Sequence, residues 1–126
     1  MVLVDTSIWM QYFKGIENVL PLNKLIDSNR LCLNDLILAE LIPSINIRKE
    51  NHLKELLYTV TKIEININWN HIIQMQTMNY KKGINKVGIA DLIIAQNAME
   101  NDIELYAAGR HFQLMSELHG IRIYRG

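Results

Sequence analysis

Apolar residues along this chain come in two kinds of run. Val2-Leu3-Val4 and Leu31-Cys32-Leu33 are short and apolar at every position, which suits central parallel strands covered on both faces. The other runs have helical length and spacing. Ile8 to Phe13 predicts a helix that is apolar nearly all round, with Trp9, Met10, Tyr12 and Phe13, and Gly15 ends it. A second helix is predicted over about Glu17 to Asp27, its start drawn toward Leu20 by Pro21. Leu36 to Ile42 is apolar except for Glu40. Pro43 is expected to break or kink that helix before a more polar continuation, Ile45 to Glu50. His52 to Val60 is amphipathic on Leu53, Leu56 and Leu57, and Trp69 to Tyr80 predicts a further helix. Lys62 to Ile67 alternates, with Ile63, Ile65 and Ile67 on one face, and predicts a half-buried strand or its continuation into a loop.

The stretch from Val87 to Phe112 reads as helix, turn at Asn101-Asp102, strand over Ile103 to Ala107, and a new short helix from Arg110. Ile121 to Tyr124 predicts a last strand. Strands alternating with helices imply a parallel sheet in a layered α/β domain.

Composition narrows the function classes. At 126 residues the chain is expected to form one domain with a proper core. Thirteen basic and thirteen acidic residues cancel, so any nucleic-acid binding must come from a local patch. Cys32 is the only cysteine, which excludes an intrachain disulfide and suits a strand core in a reducing cytoplasm. The N-terminal run reads as a strand rather than a leader, and no apolar run approaches the ~18 residues of a membrane span.

Three acids then draw attention. Asp5 closes the first strand, where open α/β sheets place their ligands. Glu40 and Asp91 each sit on an apolar helix that starts from a strand-end turn. Right-handed crossovers carry these turns to one edge of the sheet. Each acid also has an ordinary reading: Asp5 as a helix cap, Asp91 as a first-turn acid favoured by the helix N-terminus, Glu40 as a solvent-facing residue. No Lys or Arg lies immediately beside any of the three in sequence. Gathered without a cation, they would repel one another and their pKa values would rise. A divalent ion relieves this, and hard carboxylate oxygens suit Mg²⁺ or Mn²⁺. Such an ion supplies a nucleophilic water and stabilises charge on a phosphoryl centre.

DTSIWM at the start, LNDLILAEL around Glu40 and GIADLIIAQNA around Asp91 together resemble the signatures of PIN-domain proteins, most of all VapC-type toxins of toxin–antitoxin pairs. The resemblance covers essentially the whole chain, with the motifs in the family's order. It implies a three-layer α/β sandwich with a central parallel sheet flanked by helices. It also implies an Mg²⁺- or Mn²⁺-dependent endoribonuclease acting on structured RNA such as tRNA or rRNA. Asp5, Glu40 and Asp91 would be its catalytic, metal-binding acids, with Ser7 in support. Implied partners are a cognate antitoxin, an RNA substrate and a second copy of the chain. The apolar first helix, with Trp9, Tyr12 and Phe13, fits antitoxin docking, although such residues also fill cores. Lys81, Lys82, Lys86 and Arg110 are the candidates for RNA phosphates. The run holding these lysines has an ordinary reading as a solvated turn.

One departure stands out. The family's strand-end motif usually carries a fourth acid, and here the segment reads LYAAGRHF, with Gly109 where the Asp is expected. Three carboxylates leave two divalent ions under-neutralised, which predicts weak second-metal binding and reduced or absent cleavage. Gly109→Asp is then expected to raise cleavage. Asp35 and His111, near strand ends, are candidates to substitute in part. Asp102, at the opposite end of its strand, is not. The alternative is a non-catalytic pseudonuclease that keeps antitoxin and RNA binding. A phosphoacceptor receiver domain ranks below both, because Asp5 is followed by Thr6 rather than a second acid.

Overall fold

A computed structural model of the protein describes residues 1–15 and 20–126. Residues 17–19, where the second predicted helix was expected to begin, lie outside the described residues.

Four parallel strands form the sheet: β1 (Val2–Val4), β2 (Leu31–Leu33), β3 (Thr61–Lys62) and β4 (Glu104–Tyr106). Their spatial order is β3-β2-β1-β4. Val2 pairs with Leu31 on one side and Glu104 on the other, so β1 is central. Its three residues are fully buried, as a continuous apolar run on a two-faced sheet requires. The chain leaves β1 toward β2 and β3, then returns on β1's other side as β4. That reversal makes a crevice at the carboxyl ends of β1 and β4, where open α/β sheets bind ligands. The order also differs from the 2-1-3-4-5 arrangement of flavodoxin-like folds, which removes the receiver-domain reading.

Seven helices flank the sheet among the described residues: α1 (Thr6–Phe13), α2 (Leu20–Asp27), α3 (Asp35–Arg48), α4 (Asn51–Thr59), α5 (Trp69–Lys81), α6 (Ile89–Glu100) and α7 (Arg110–His119). The arrangement is the expected α/β sandwich. None of the helices is long and apolar enough to cross a membrane. Cys32 is buried in β2, where burial pushes its thiol up to about 11.

Three boundaries differ from the sequence pattern. Pro43 does not end α3, which runs unbroken from Asp35 to Arg48. Proline at 43 removes the hydrogen bond to the Ala39 carbonyl, but both residues are exposed, so water can serve that carbonyl. The alternating segment after Val60 forms only two residues of strand. Ile63 N–H still donates to Leu33 carbonyl at 2.8 Å, and beyond it the chain is loop. Ile121 to Tyr124 is not a full strand. It meets β4 at a single parallel bridge, Leu105 to Ile123, with backbone bonds from Leu105 N–H to Arg122 carbonyl and from Tyr124 N–H to Leu105 carbonyl, each 2.8 Å.

The loop after β3 is fastened by side-chain amides rather than a ladder. Asn97 Nδ2 donates to Glu64 carbonyl at 2.8 Å. Gln96 accepts from Asn68 N–H at 3.1 Å and donates to Asn68 carbonyl at 3.0 Å. Asn97 also accepts from Asn34 Nδ2 at 2.8 Å, while Asn34 Oδ1 caps α3 by accepting from Ile37 N–H at 2.9 Å. Asn34, Gln96 and Asn97 are buried, so these bonds satisfy groups that would otherwise be costly. They fix the starts of α3 and the loop against α6, and so set the helices bearing Glu40 and Asp91 relative to each other.

Asn97→Leu strands Asn34 Nδ2 and the Glu64 carbonyl without partners. It is expected to cost about 1–3 kcal/mol of unfolding free energy. An unshifted midpoint in urea denaturation would show that the amide pair is dispensable.

Candidate active site

Asp5 follows β1 directly, and its backbone N–H extends the pairing with β4 by donating to Tyr106 carbonyl at 2.8 Å. Its side chain caps α1. Oδ2 accepts from Ser7 N–H at 3.1 Å and from Ser7 Oγ at 2.5 Å. Ser7 Oγ accepts in turn from Ala108 N–H at 3.1 Å, just past the end of β4. The ordinary reading of Asp5 as a cap is therefore correct, and the cap sits in the crevice between β1 and β4. Asp5 is 4% exposed. Burial pushes its carboxyl above the usual carboxylate range, the Ser7 hydrogen bonds pull it partly back, and the negative charge of Asp91 pushes it up further.

Asp91 lies half-buried in the first turn of α6, after a Gly88 N-cap that offers no side-chain bond. Glu40 is exposed on α3, and its Oε1 accepts from Thr6 Oγ1 at 2.8 Å. Thr6 adjoins Asp5, so Glu40 is tied to the turn that carries the buried acid. Nothing in the sequence pattern around Thr6 marks this contact. Asp5 and Asp91 thus interact electrostatically and Glu40 is linked through one hydroxyl. Among the described residues, no group of three or more His, Cys, Asp or Glu side chains is close enough to form a ready metal-binding cluster.

His111, in the first turn of α7, comes closer to Asp91 than either acid is shown to. Its Nε2 lies 3.3 Å from Asp91 Oδ2. The angle falls short of a hydrogen bond, and Nε2 is buried with no hydrogen-bond partner. The imidazole packs on Phe112 with ring centroids 4.4 Å apart. Gly109 precedes it as the N-cap of α7, at φ +104° and ψ 143°. A Cβ there would stand 3.1 Å from His111 Cε1 and 3.2 Å from Nδ1. Asp35 does not approach the crevice acids. It is exposed and pairs with Lys62 Nζ at 3.0 Å. Asp102 is exposed and pairs with Arg122, as its place at the other strand end implied.

The family model for the PIN domain matches residues 2–118. The chain belongs to the PIN-domain family. Solved structures of similar fold include VapBC2 from Rickettsia felis bound to a promoter DNA fragment, at 19% identity and TM-score 0.76, with 98% of each chain covered. DNA-bound VapBC from Salmonella typhimurium matches at 21% identity and TM-score 0.74, covering 98% of this chain and 96% of that one. FitAcB from Neisseria gonorrhoeae matches at 18% identity and TM-score 0.72, covering 99% and 97%. Comparison with curated protein sequences finds no significant match.

The remaining predicted residues of this PIN domain divide. Lys86 and Arg110 line one open groove of about 370 Å³ together with His111, Gly83, Ile84 and Leu114. Lys81 and Lys82 are exposed at the end of α5 and do not line it. A larger depression, about 790 Å³, is lined by 65–70 and Glu100 and holds none of the predicted residues. Trp9 is fully buried, so it serves the core and offers no surface to a partner. Tyr12 and Phe13 pack edge-on and obliquely around it at 6.2 and 6.1 Å and remain half-buried. Phe13 also lines a narrow cleft between α1 and α3, with Met10, Leu41, Ile45 and Arg48.

The Asp5 carboxyl titrates above its ordinary 3.8 in the folded chain. Between 3.8 and that higher value the folded state binds the proton more tightly than the unfolded state, so stability falls as pH rises through this window. Asp5→Asn is therefore expected to raise Tm at pH 7, with the gain shrinking as pH is lowered toward 3.8. A gain of equal size at every pH in thermal scans would refute this origin. At Gly109, Ala or Asp is expected to cost about 1–3 kcal/mol, because its φ is one that L side chains rarely adopt. Restoring an acid there thus strains the backbone and needs the His111 ring to give slightly, which substitution by pattern alone did not anticipate. Urea midpoints of Gly109→Ala and Gly109→Asp equal to that of the native chain would contradict it.

Proposed function

We propose that this PIN domain is a divalent-metal-dependent endoribonuclease and the toxin of a VapC-type toxin–antitoxin pair. The observation that carries the reading is the buried Asp5 carboxylate, facing the charge of Asp91 in the crevice between β1 and β4. PIN domains are generally nucleases. The structures of similar fold come from VapBC and FitAB assemblies, which supports a toxin with a cognate antitoxin.

In this reading Asp5, Asp91 and Glu40 hold the metal. Two observations support a fit: the donors are hard oxygens, and the like charges of Asp5 and Asp91 need a cation between them more than they need each other. A bound divalent ion supplies Lewis acidity and a nucleophile for phosphodiester hydrolysis. The chain's own residues do the rest. Ser7 fixes the Asp5 carboxylate through two hydrogen bonds and is itself held by Ala108 N–H. Thr6 restrains Glu40. Lys86 and Arg110, on the groove beside His111, attract the phosphates of an RNA strand. Lys81 and Lys82 extend that positive edge. The half-buried Tyr12 and Phe13 on α1 are the surface offered to an antitoxin, and a second copy completes the toxin as a homodimer.

A second reading keeps partner binding without cleavage. Gly109 favours it, since position 109 contributes no carboxylate.

Incubation of the purified chain with tRNA and rRNA distinguishes the two. Cleavage in Mg²⁺ or Mn²⁺ that stops with EDTA and with Asp91→Asn is expected. RNA binding without cleavage by the native chain would establish the pseudonuclease instead.

A further inference from the structure

The nitrogen of His111 has no role in the reading above, yet it is the polar atom nearest to Asp91 that the structure gives. We propose that His111 Nε2 is a ligand of the same metal centre, making it a mixed nitrogen–oxygen site that favours Mn²⁺ over Mg²⁺. The proposal rests on the metal-dependent nuclease reading and adds a ligand and an ion preference to it.

Three observations converge. First, Nε2 is buried and makes no hydrogen bond, although the Asp91 carboxylate stands beside it, so its polar capacity is not fully used. Second, it lies 3.3 Å from Asp91 Oδ2 in a geometry that is not a hydrogen bond. Two donors that share one ion at bond lengths of about 2.1 Å are about 3.0 Å apart in an octahedron and about 3.4 Å apart in a tetrahedron. The His111–Asp91 spacing falls between these edges. Third, the ring packs closely beside Gly109. A Cβ at that position would press on Cε1 and Nδ1 at 3.1 and 3.2 Å. Phe112 packs against the ring. The absent side chain at 109 and the inserted imidazole at 111 are thus one local arrangement.

The ion preference follows from donor chemistry. Mg²⁺ takes oxygen ligands and keeps its waters, whereas imidazole suits transition-metal ions. Exchanging an oxygen for a neutral nitrogen also removes a negative charge from the donor set, which penalises the purely electrostatic Mg²⁺ more than Mn²⁺.

Pulsed EPR of the native chain loaded with Mn²⁺ tests the ligand directly. Modulation from a coordinated ¹⁴N is expected, and it is expected to vanish in both His111→Ala and His111→Gln. Titration calorimetry should show Mn²⁺ affinity falling by about tenfold or more in both variants, as losses in a metal's supporting shell commonly do, with a smaller change for Mg²⁺. Mn²⁺ bound without ¹⁴N modulation, or modulation that survives both substitutions, overturns the nitrogen ligand and leaves the nuclease reading intact. No Mn²⁺ binding by the native chain overturns both. The native-chain spectrum decides the matter even if the variants fold poorly.

Discussion

Ser7 Oγ takes a hydrogen bond from Ala108 N–H and gives one to Asp5 Oδ2, and this short relay ties together the ends of two parallel strands where their connections diverge. Everything at the candidate site hangs from it. It orients the buried carboxylate, caps α1 and fixes the start of the segment that leads through Gly109 to His111. A hydroxyl is well suited to the task, because it can accept and donate at once. An alanine at 7 would leave a buried carboxylate without its strongest donor and an amide without its acceptor.

The site is built under electrostatic tension. Burial and the neighbouring Asp91 both work against ionised Asp5, and the Ser7 hydrogen bonds offset only part of that. Such a site has two ways to relax: take up a proton or take up a cation. Protein interiors usually answer a buried acid with an Arg or Lys. Here the polar side chain shown nearest to Asp91 is an imidazole that does not form a hydrogen bond with it. Among the described residues neither Asp5 nor Asp91 pairs with a Lys or Arg, which separates this crevice from a surface ion pair such as Lys62–Asp35.

Much of this was legible in the sequence, for physical reasons that differ by residue. The continuous apolar run Val2-Leu3-Val4 announced a central strand because only a strand covered on both faces tolerates it. Asp5, Glu40 and Asp91 stood out because each is a charge within or at the edge of an apolar run. What escaped the pattern depends on tertiary contacts. Pro43 interrupts a helix only where its lost hydrogen bond cannot be replaced by water. The 63–68 segment alternates like a strand, but Gln96 and Asn97 reach its backbone first. Trp9 on an all-round apolar helix could have faced a partner or the core, and only the packing decided. Gly109 read as a missing acid. The dihedral angle that makes glycine the fitting residue there is invisible in a one-letter string.

The central place of β1 has a temporal consequence. Its neighbours in the sheet are β2 and β4, and the Ser7–Ala108 bond spans 101 positions. During synthesis the first strand emerges early but has no partner on its second side until the last one is made. At about 5–20 residues per second, some 5–20 s pass between the two. Throughout that interval the chain has Asp5 but no crevice to put it in. A nascent copy, or one cut before β4, therefore lacks the crevice that holds Asp5 beside Ser7 and Ala108.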